Sequence, residues 1–267
     1  MFNKEKILTD CLEKNIIKFD IECDKAFIFT LSDLHIGLGN LEYVKDIVEF
    51  ILSIKNAYVV IGGDLVNNTT KNSLGCVLEE YATGQEQIKL AVEVLKPLAD
   101  NNRIIAIVDS GNHEKRTENE VYISITQIIA TMLGITDKYV KEFCIGYINV
   151  NKNCYIYANI HKHRLTKNYY SFFNADCLVM EHTHDYSCEE KMIMFHNKYT
   201  KKTSLRSSFI INNGSALAFP SYAKISGYAP QQIGSFVIEL NGKDRNISVW
   251  KDVDLYNAIN GGYMKHG

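Results

Sequence analysis

Six of the eight histidines in this chain of 267 residues directly follow short apolar runs of strand composition: His35, His113, His161, His163, His182 and His184. Carboxylates and a carboxamide accompany them. Asp33 and His35 stand one residue apart in SDLHIG, Asp64 follows two glycines in IGGDLVNN, Asn112 adjoins His113 in GNHE, and EHTH carries His182 and His184. Carboxylate, amide oxygen and imidazole are the donors that hard to borderline divalent ions such as Mn, Fe and Zn accept. A one-residue gap in a loop lets two side chains converge on one ion, and inside a strand it puts both on one face of the sheet. Glycines beside Asp64 and Asn112 permit the sharp turns and close backbone approach that an ion site at a strand end needs. Taken singly, a histidine at a strand end is more often a surface or hydrogen-bonded residue; the joint pattern is what points to coordination.

Elements that could position these residues are readable in outline. AFIFTLSD has strand composition and ends in the polar loop DLHIGLGN; LEYVKDIVEFILSIKN has apolar residues at 41, 44, 47, 48, 51, 52 and 54, one face of a helix, before the buried strand AYVVIGG. The pattern repeats with a mostly helical VLEEYATGQEQIKLAVEVLKPLADN and the strand RIIAIVDSGNHE, which runs into a Gly–Asn–His loop, followed by a helix-like VYISITQIIATMLG. A helix and an edge strand are expected in residues 3–23. From about residue 139 the runs YINVN, CYIYANIH, CLVMEHTH, SFIINNGS, SFVIEL and ISVW read as short strands. The expected architecture is an α/β sandwich of two mixed sheets flanked by helices in four layers. Right-handed crossovers would bring the carboxyl ends of the first strands, and with them the motifs, to one edge. Without a Pro- or Ser-rich linker, residues 1–267 read as a single domain, with a motif-bearing core at about 26–250 and an extension at 1–25.

A net charge of −2 and a pI near 6.4 give no global electrostatic case for wrapping long nucleic acid. A local basic patch is still conceivable in KMIMFHNKYTKKTSLRSS, where Lys198, Lys201, Lys202 and Arg206 interleave with Phe195 and Tyr199; such a stretch is more often a solvated hairpin. No run of eighteen apolar residues occurs, and the charged N-terminus lacks a leader pattern, so a soluble cytoplasmic protein without membrane partners is expected. Seven cysteines, at 11, 23, 76, 144, 154, 177 and 188, form no C-x-x-C pair and read as buried reduced thiols. Asn67 and Asn68 could cap a turn or serve function, and Glu114 and Arg116 could orient His113, bind a phosphate oxygen, or be ordinary surface charge. Oligomeric state is not written in these patterns.

In order, Asp-x-His, Gly-Asp, Gly-Asn-His-Glu, a lone His after a strand and His-x-His resemble the calcineurin-like metallophosphoesterase superfamily over roughly residues 26 to 250. The resemblance implies Asp33, His35 and His184 on a first ion, Asn112, His161 and His182 on a second, and Asp64 bridging them. It leaves His113 facing the substrate. Two divalent ions are implied, Mn²⁺ first, with Fe or Zn as other choices. Ions about 3.5–4 Å apart clamp both oxygens of an in-line displacement at phosphorus and provide hydroxide near neutral pH. Two departures stand out. Glu181 occupies the position of the glycine that normally precedes His-x-His, where it either tightens the backbone or reaches the layer of side chains behind the ligands. His163 duplicates the lone histidine, and His161 is preferred because it directly follows the apolar run. The stretch NGSALAFPSYAKISGYAPQQIGSFVIEL is also similar to segments of bacteriophage-encoded members, in which a Tyr-Gly-Tyr-x-Pro turn precedes a late strand.

These readings point to a phosphoesterase with His113, Asp64 and Arg116 as its catalytic candidates, acting first on nucleotides or nucleic-acid phosphodiesters and second on phosphomonoesters. A non-catalytic scaffold and a purely structural metal site are the rivals from other classes. His113 separates them, because neither rival needs it.

Overall fold

The computed structural model describes residues 12–261 except 72, 74–76, 163–172, 218, 220–223, 226 and 228. Strands β2 (Lys25–Leu31), β3 (Ala57–Ile61) and β4 (Ile104–Asp109) run parallel side by side. They are apolar on both faces because each face meets a core. In β2, Phe29 and Leu31 enter the core under the helices, whereas Ala26 and Ile28 enter the core between the two sheets. This period-two division turns an alternating strand into a continuous apolar run. The same sheet adds β5 (Tyr139–Lys141), β11 (Phe236–Asn241) and β12 (Ile247–Lys251) in the order β12-β11-β2-β3-β4-β5.

Helices cover its outer face. Helix α1 (Leu41–Ser53) starts where Asn40 Oδ1 accepts from Tyr43 N at 3.0 Å. Helix α2 (Gly84–Asp100) starts where Glu86 Oε2 accepts from Thr83 N at 2.8 Å. With α4 (Ile125–Met132) and α5 (Asp252–Ile259) they send Val44, Leu95, Ile129 and Leu255 into one core. The second sheet has the order β1-β6-β7-β8-β10-β9, built from β1 (Ile16–Ile21), β6 (Phe143–Val150), β7 (Asn153–His161), β8 (Cys177–Glu181), β9 (Ser187–Asn197) and β10 (Lys202–Asn212). It faces the first sheet through Ile148, Tyr155, Tyr157, Val179 and Ile211. The α/β sandwich of two mixed sheets expected from the sequence is the fold observed.

Several local expectations are corrected. GNHE is not a loop: Gly111 caps α3 (Asn112–Val121), whose sequence NHEKRTENEV buries only Glu114 and so carries no apolar period to betray it. The segment 121–134 is not one helix, since Tyr122 takes a left-handed turn (φ 60°) before Ser124 caps α4. Around residue 80 only one turn of 3₁₀ helix (Val77–Glu79) precedes α2. Residues 191–208 form the solvated hairpin that the sequence suggested: β9 pairs antiparallel with β10, and SCEEKMIMFHN has no buried face. Thiols 144 and 177 are buried and free, but Cys154 and Cys188 are exposed, at the start of β7 and on the edge strand β9. Cys11, Cys76, His163, Tyr228 of the late turn and most of the helix expected after residue 3 lie outside the described residues.

Candidate metal centre

The carboxyl ends of β2, β3, β4, β7 and β8 meet at one rim between the sheets. The chain turns there through backbone that side chains rarely adopt: Asp33 (φ 52°), His35 (φ 44°), Asp64 (φ 54°), His182 (φ 85°) and His184 (φ 56°) are all left-handed. Each such residue costs about 1 kcal/mol or more, so the loops must be held by their surroundings. Backbone hydrogen bonds extend the β2–β3 pairing into them: Asp33 N to Gly63 O (2.8 Å), His35 N to Asp64 O (2.9 Å) and Ile36 N to Leu65 O (3.0 Å). Glycine is needed where loops touch, since a Cβ on Gly63 would stand 2.4 Å from Gly111 N. This contact seats the Asp64 loop on the N-terminus of α3.

Three groups of ligand-type atoms result, each within 4.8 Å internally: Asp33, His35 and His184; His35, Asp64 and His113; Asp64, His161 and His182. Asp33 Oδ1 lies 3.1 Å from His184 Nε2. His161 Nε2 lies 3.1 Å from both Asn112 Oδ1 and His182 Nδ1. Between the outer groups stands Asp64 Oδ2, 3.3 Å from His161 Nε2, 4.0 Å from His35 Nε2 and 3.8 Å from His113 Nε2. Asp33, His35, Asp64, Asn112, His161, His182 and His184 therefore all reach this rim. His113 also belongs geometrically to the middle group.

Charges at the rim are balanced against burial. Burial alone would raise the carboxyl of Asp64, but the neighbouring charges of His161 and His113 hold it well below the usual range. Asp33 is likewise lowered, with His184 and His161 outweighing desolvation. The partners move the other way: burial opposes a charge on His161 and His184, yet Asp64 and Asp33 raise His161 well above its ordinary value, and Asp33 raises His184. His35 is pushed well below its ordinary value, chiefly by burial, which favours the neutral imidazole.

A second layer fixes these residues. Glu114 was read as an orienting, phosphate-binding or surface charge; it is instead buried and accepts from the N–H groups of Asp64 (3.1 Å), Leu65 (2.6 Å) and Val66 (3.1 Å). Burial and the charge of Asp64 push its carboxyl up to about 8. Asn68 Nδ2 donates to His113 O at 2.7 Å, so its side chain clasps the start of α3. Arg116 reaches back to Asn67 O (3.2 Å), Asn68 O (3.3 Å) and His113 Nε2 (3.0 Å). On the other side, Asn213 Nδ2 donates to Ser32 Oγ (2.9 Å), which donates to Asp33 Oδ2 (2.7 Å). Asn213 and Ser32 gave no signal in the sequence. Asn159 gave one, as a carboxamide interrupting the apolar run CYIYANIH.

The donor set fits divalent ions. Both ring nitrogens of His35 and Nδ1 of His161 are buried without a hydrogen-bond partner. Each unsatisfied polar group costs about 1–3 kcal/mol, a cost that coordination would relieve at one nitrogen of His35. No helix among the described residues is long and apolar enough to cross a membrane.

Three solved structures match the chain at low TM-scores. Vps29 from Chaetomium thermophilum is 11% identical, with 85% of this chain and 95% of that one covered and a TM-score of 0.37. NAD nucleotidase from Haemophilus influenzae is 10% identical, with 85% of this chain and 49% of that one covered and a TM-score of 0.37. A phosphatase from Mycoplasma pneumoniae is 11% identical, with 86% and 94% covered and a TM-score of 0.38. No curated protein matches the chain by sequence. The profile of calcineurin-like phosphoesterases matches residues 28–215, which contain every candidate residue of the rim. With well over half its length matched, the chain belongs to the calcineurin-like phosphoesterase family of metal-dependent phosphoester hydrolases.

Proposed function

We propose that the chain, working as one domain, hydrolyses phosphodiesters of nucleotides or nucleic acid with two divalent ions, Mn²⁺ in the first instance. Asp33, His35 and His184 would hold one ion, Asn112, His161 and His182 the other, and Asp64 both. The observation that carries this reading is the position of Asp64 Oδ2, 4.0 Å from His35 Nε2 and 3.3 Å from His161 Nε2. When bound, the ions supply Lewis-acid chemistry, acidifying water near neutral pH and offsetting charge that grows on phosphoryl oxygens.

The protein's own contribution is proton placement and orientation. His113 Nδ1 meets Asn67 O, a pure acceptor, so Nδ1 carries the hydrogen and Nε2 is the nitrogen turned to the substrate. Arg116 Nη2 stands 3.0 Å from that Nε2 and can only donate. Burial also lowers His113, which keeps Nε2 unprotonated before substrate arrives. A phosphoryl oxygen that draws Arg116 away would free Nε2 to take up a proton from the attacking water, and the imidazolium so formed would hand that proton to the leaving oxygen. One guanidinium that leaves His113 for a phosphoryl oxygen offsets the single negative charge of a diester, which supports the diester reading.

The test is hydrolysis of bis-p-nitrophenyl phosphate and p-nitrophenyl phosphate side by side, in Mn²⁺ and in chelator, with His113→Ala as control. Metal-dependent diester cleavage exceeding monoester cleavage is expected, and His113→Ala should lose turnover while retaining two ions per chain. A monoester preference would replace the substrate class with that of a phosphatase. Full activity in His113→Ala would overturn the mechanism, and a metal-loaded, inactive wild type would leave a scaffold.

A further inference from the structure

We propose that Glu181 is a positioning residue of the metal centre: it holds the Nδ1–H of His161 and thereby turns Nε2 of that ring toward the ion shared with Asp64, Asn112 and His182. The inference rests on the two-ion reading of the rim.

Glu181 ends β8 and is only 2% exposed. Its carboxylate sits in a ring of donors. Oε2 accepts from Gly63 N at 3.0 Å and lies 3.4 Å from Ser110 Oγ, while Oε1 accepts from Asn159 Nδ2 at 2.9 Å. The orientation of Asn159 is fixed independently, because its Oδ1 accepts from Cys144 N at 2.9 Å. Its amide N–H₂ must therefore face Glu181.

The fourth neighbour is His161 Nδ1, 3.4 Å from Glu181 Oε2. That nitrogen is buried and makes no well-aligned hydrogen bond, and Glu181 is nearer to it than Asp33 Oδ1, at 4.0 Å. The opposite nitrogen of the same ring, Nε2, lies among Asn112 Oδ1, His182 Nδ1 and Asp64 Oδ2. One nitrogen among ligand atoms and the other toward a carboxylate is how a ligating histidine is held in a single tautomer and orientation. A small rotation of the ring completes the Nδ1–H to Oε2 bond.

Gly62 makes room for this device. A Cβ on it would fall 1.9 Å from Glu181 Oε1, so no other residue can stand at 62 while Glu181 occupies its present position. Replacing the carboxylate with an amide would put an N–H₂ group against at least one of the donors that surround it.

Calorimetric titration of the metal-stripped protein with Zn²⁺, together with ¹⁵N–¹H spectra of the Zn²⁺-loaded imidazoles, tests the proposal. Wild type should take two ions, and Glu181→Gln should keep one of unchanged affinity and bind the other about 10–100-fold more weakly. The His161 Nδ1–H resonance of loaded wild type should move upfield in the variant, a change that loss of packing alone would not produce. If Glu181→Gln fails to fold, Glu181→Gly is measured in the same way. Two ions bound with wild-type affinity and an unmoved His161 resonance overturn the proposal. So does a wild-type spectrum in which His161 Nδ1 carries no hydrogen. Wild type that takes up no ion overturns the two-ion reading instead.

Discussion

The two sheets bring unlike chemistry and unlike support to one rim. Strand ends of the first sheet supply the oxygens, Asp33, Asp64 and Asn112, along with His35 and His113. Those of the second supply His161, His182 and His184, with Glu181 behind them. The first sheet is filled on both faces, by helices outside and by the second sheet inside. The second has a small apolar cluster of Ala158, Ile160, Ala175 and Leu178 apart from that shared core, and it ends in a hairpin that exposes Met192, Met194 and Leu205. A site built this way straddles a rigid body and a less supported one. Ions held from both sides would then tie the sheets together as well as do chemistry.

The largest effect should come from the one carboxylate that faces both groups. Asp64→Ala is expected to lower kcat by about 10³-fold, on the order of 4 kcal/mol of transition-state stabilisation. Elemental analysis should find both ions reduced. His184→Ala removes a donor from one group only, so it should retain close to one ion per chain and a smaller loss of rate. Equal ion loss in the two variants would break the asymmetry between a shared and an unshared ligand.

Next in size is the core beneath the helices. Leu95 is fully buried in the cluster that α1, α2, α4 and α5 build with the first sheet, so Leu95→Ala should cost about 3 kcal/mol in urea unfolding. Leu178→Ala, in the four-residue cluster of the second sheet, should cost less, because fewer neighbours lose contacts there. Equal costs would mean that the second sheet is as well supported as the first.

The same contrast explains what the sequence could reveal. Strands β2, β3 and β4 of the first sheet were legible because burial on both faces wrote them as continuous apolar runs, and their polar stops marked the rim. Helix α3 was invisible because only Glu114 of its ten residues is buried, and β9 was legible only as part of a solvated hairpin because neither of its faces is buried. The ligand-type residues were legible through local pairs such as Asp33 with His35. Of the layer behind them Glu181 was marked by replacing the expected glycine, but its pairing with Asn159, and that of Asn213 with Ser32, was not, because these are juxtapositions over 22 and 181 residues of chain. Glu114 stands three residues from Gly111 in sequence, yet its role depends on the backbone of residues 64–66, which no local pattern connects to it.

Ion binding should sharpen the contrast by way of protons. His161 and His184, on the second sheet, are raised by Asp64 and Asp33 and so keep their protons to higher pH than an ordinary histidine, whereas His35 on the first sheet is lowered by burial. Protons and ions compete for the same lone pairs on the raised rings. Mn²⁺ affinity should therefore increase as pH rises from 5.5 to 8, with protons released on binding, measurable by calorimetry in buffers of different ionisation enthalpy. A site filled at 100 times its dissociation constant stabilises the fold by about 2.7 kcal/mol, so chelation should lower the melting temperature. In His35→Ala the pH dependence should persist, and in His161→Ala it should shrink. The reverse pattern would assign the competing protons to the first sheet.

The smallest effect should be at the hairpin. Arg206 stacks on Phe195 at 3.8 Å, and Tyr199 at the tip is 84% exposed, a surface that the sequence offered for nucleic acid. Yet β10 runs from Lys202 near the tip to Asn212 at the rim, eleven residues of strand, or about 35 Å. The basic tip therefore cannot line the catalytic pocket and could touch only a substrate long enough to span that distance. Leu205→Ser, on the exposed face of β10, should change unfolding free energy by less than about 0.5 kcal/mol and leave hydrolysis of a small diester unchanged. A Lys201→Glu/Lys202→Glu variant should behave likewise on a small diester, so a loss of rate confined to long polynucleotides would assign the tip to substrate binding. Destabilisation of 2 kcal/mol or more in Leu205→Ser would mean that this face is covered in solution, and the second sheet would then be supported in a way that its own chain does not provide.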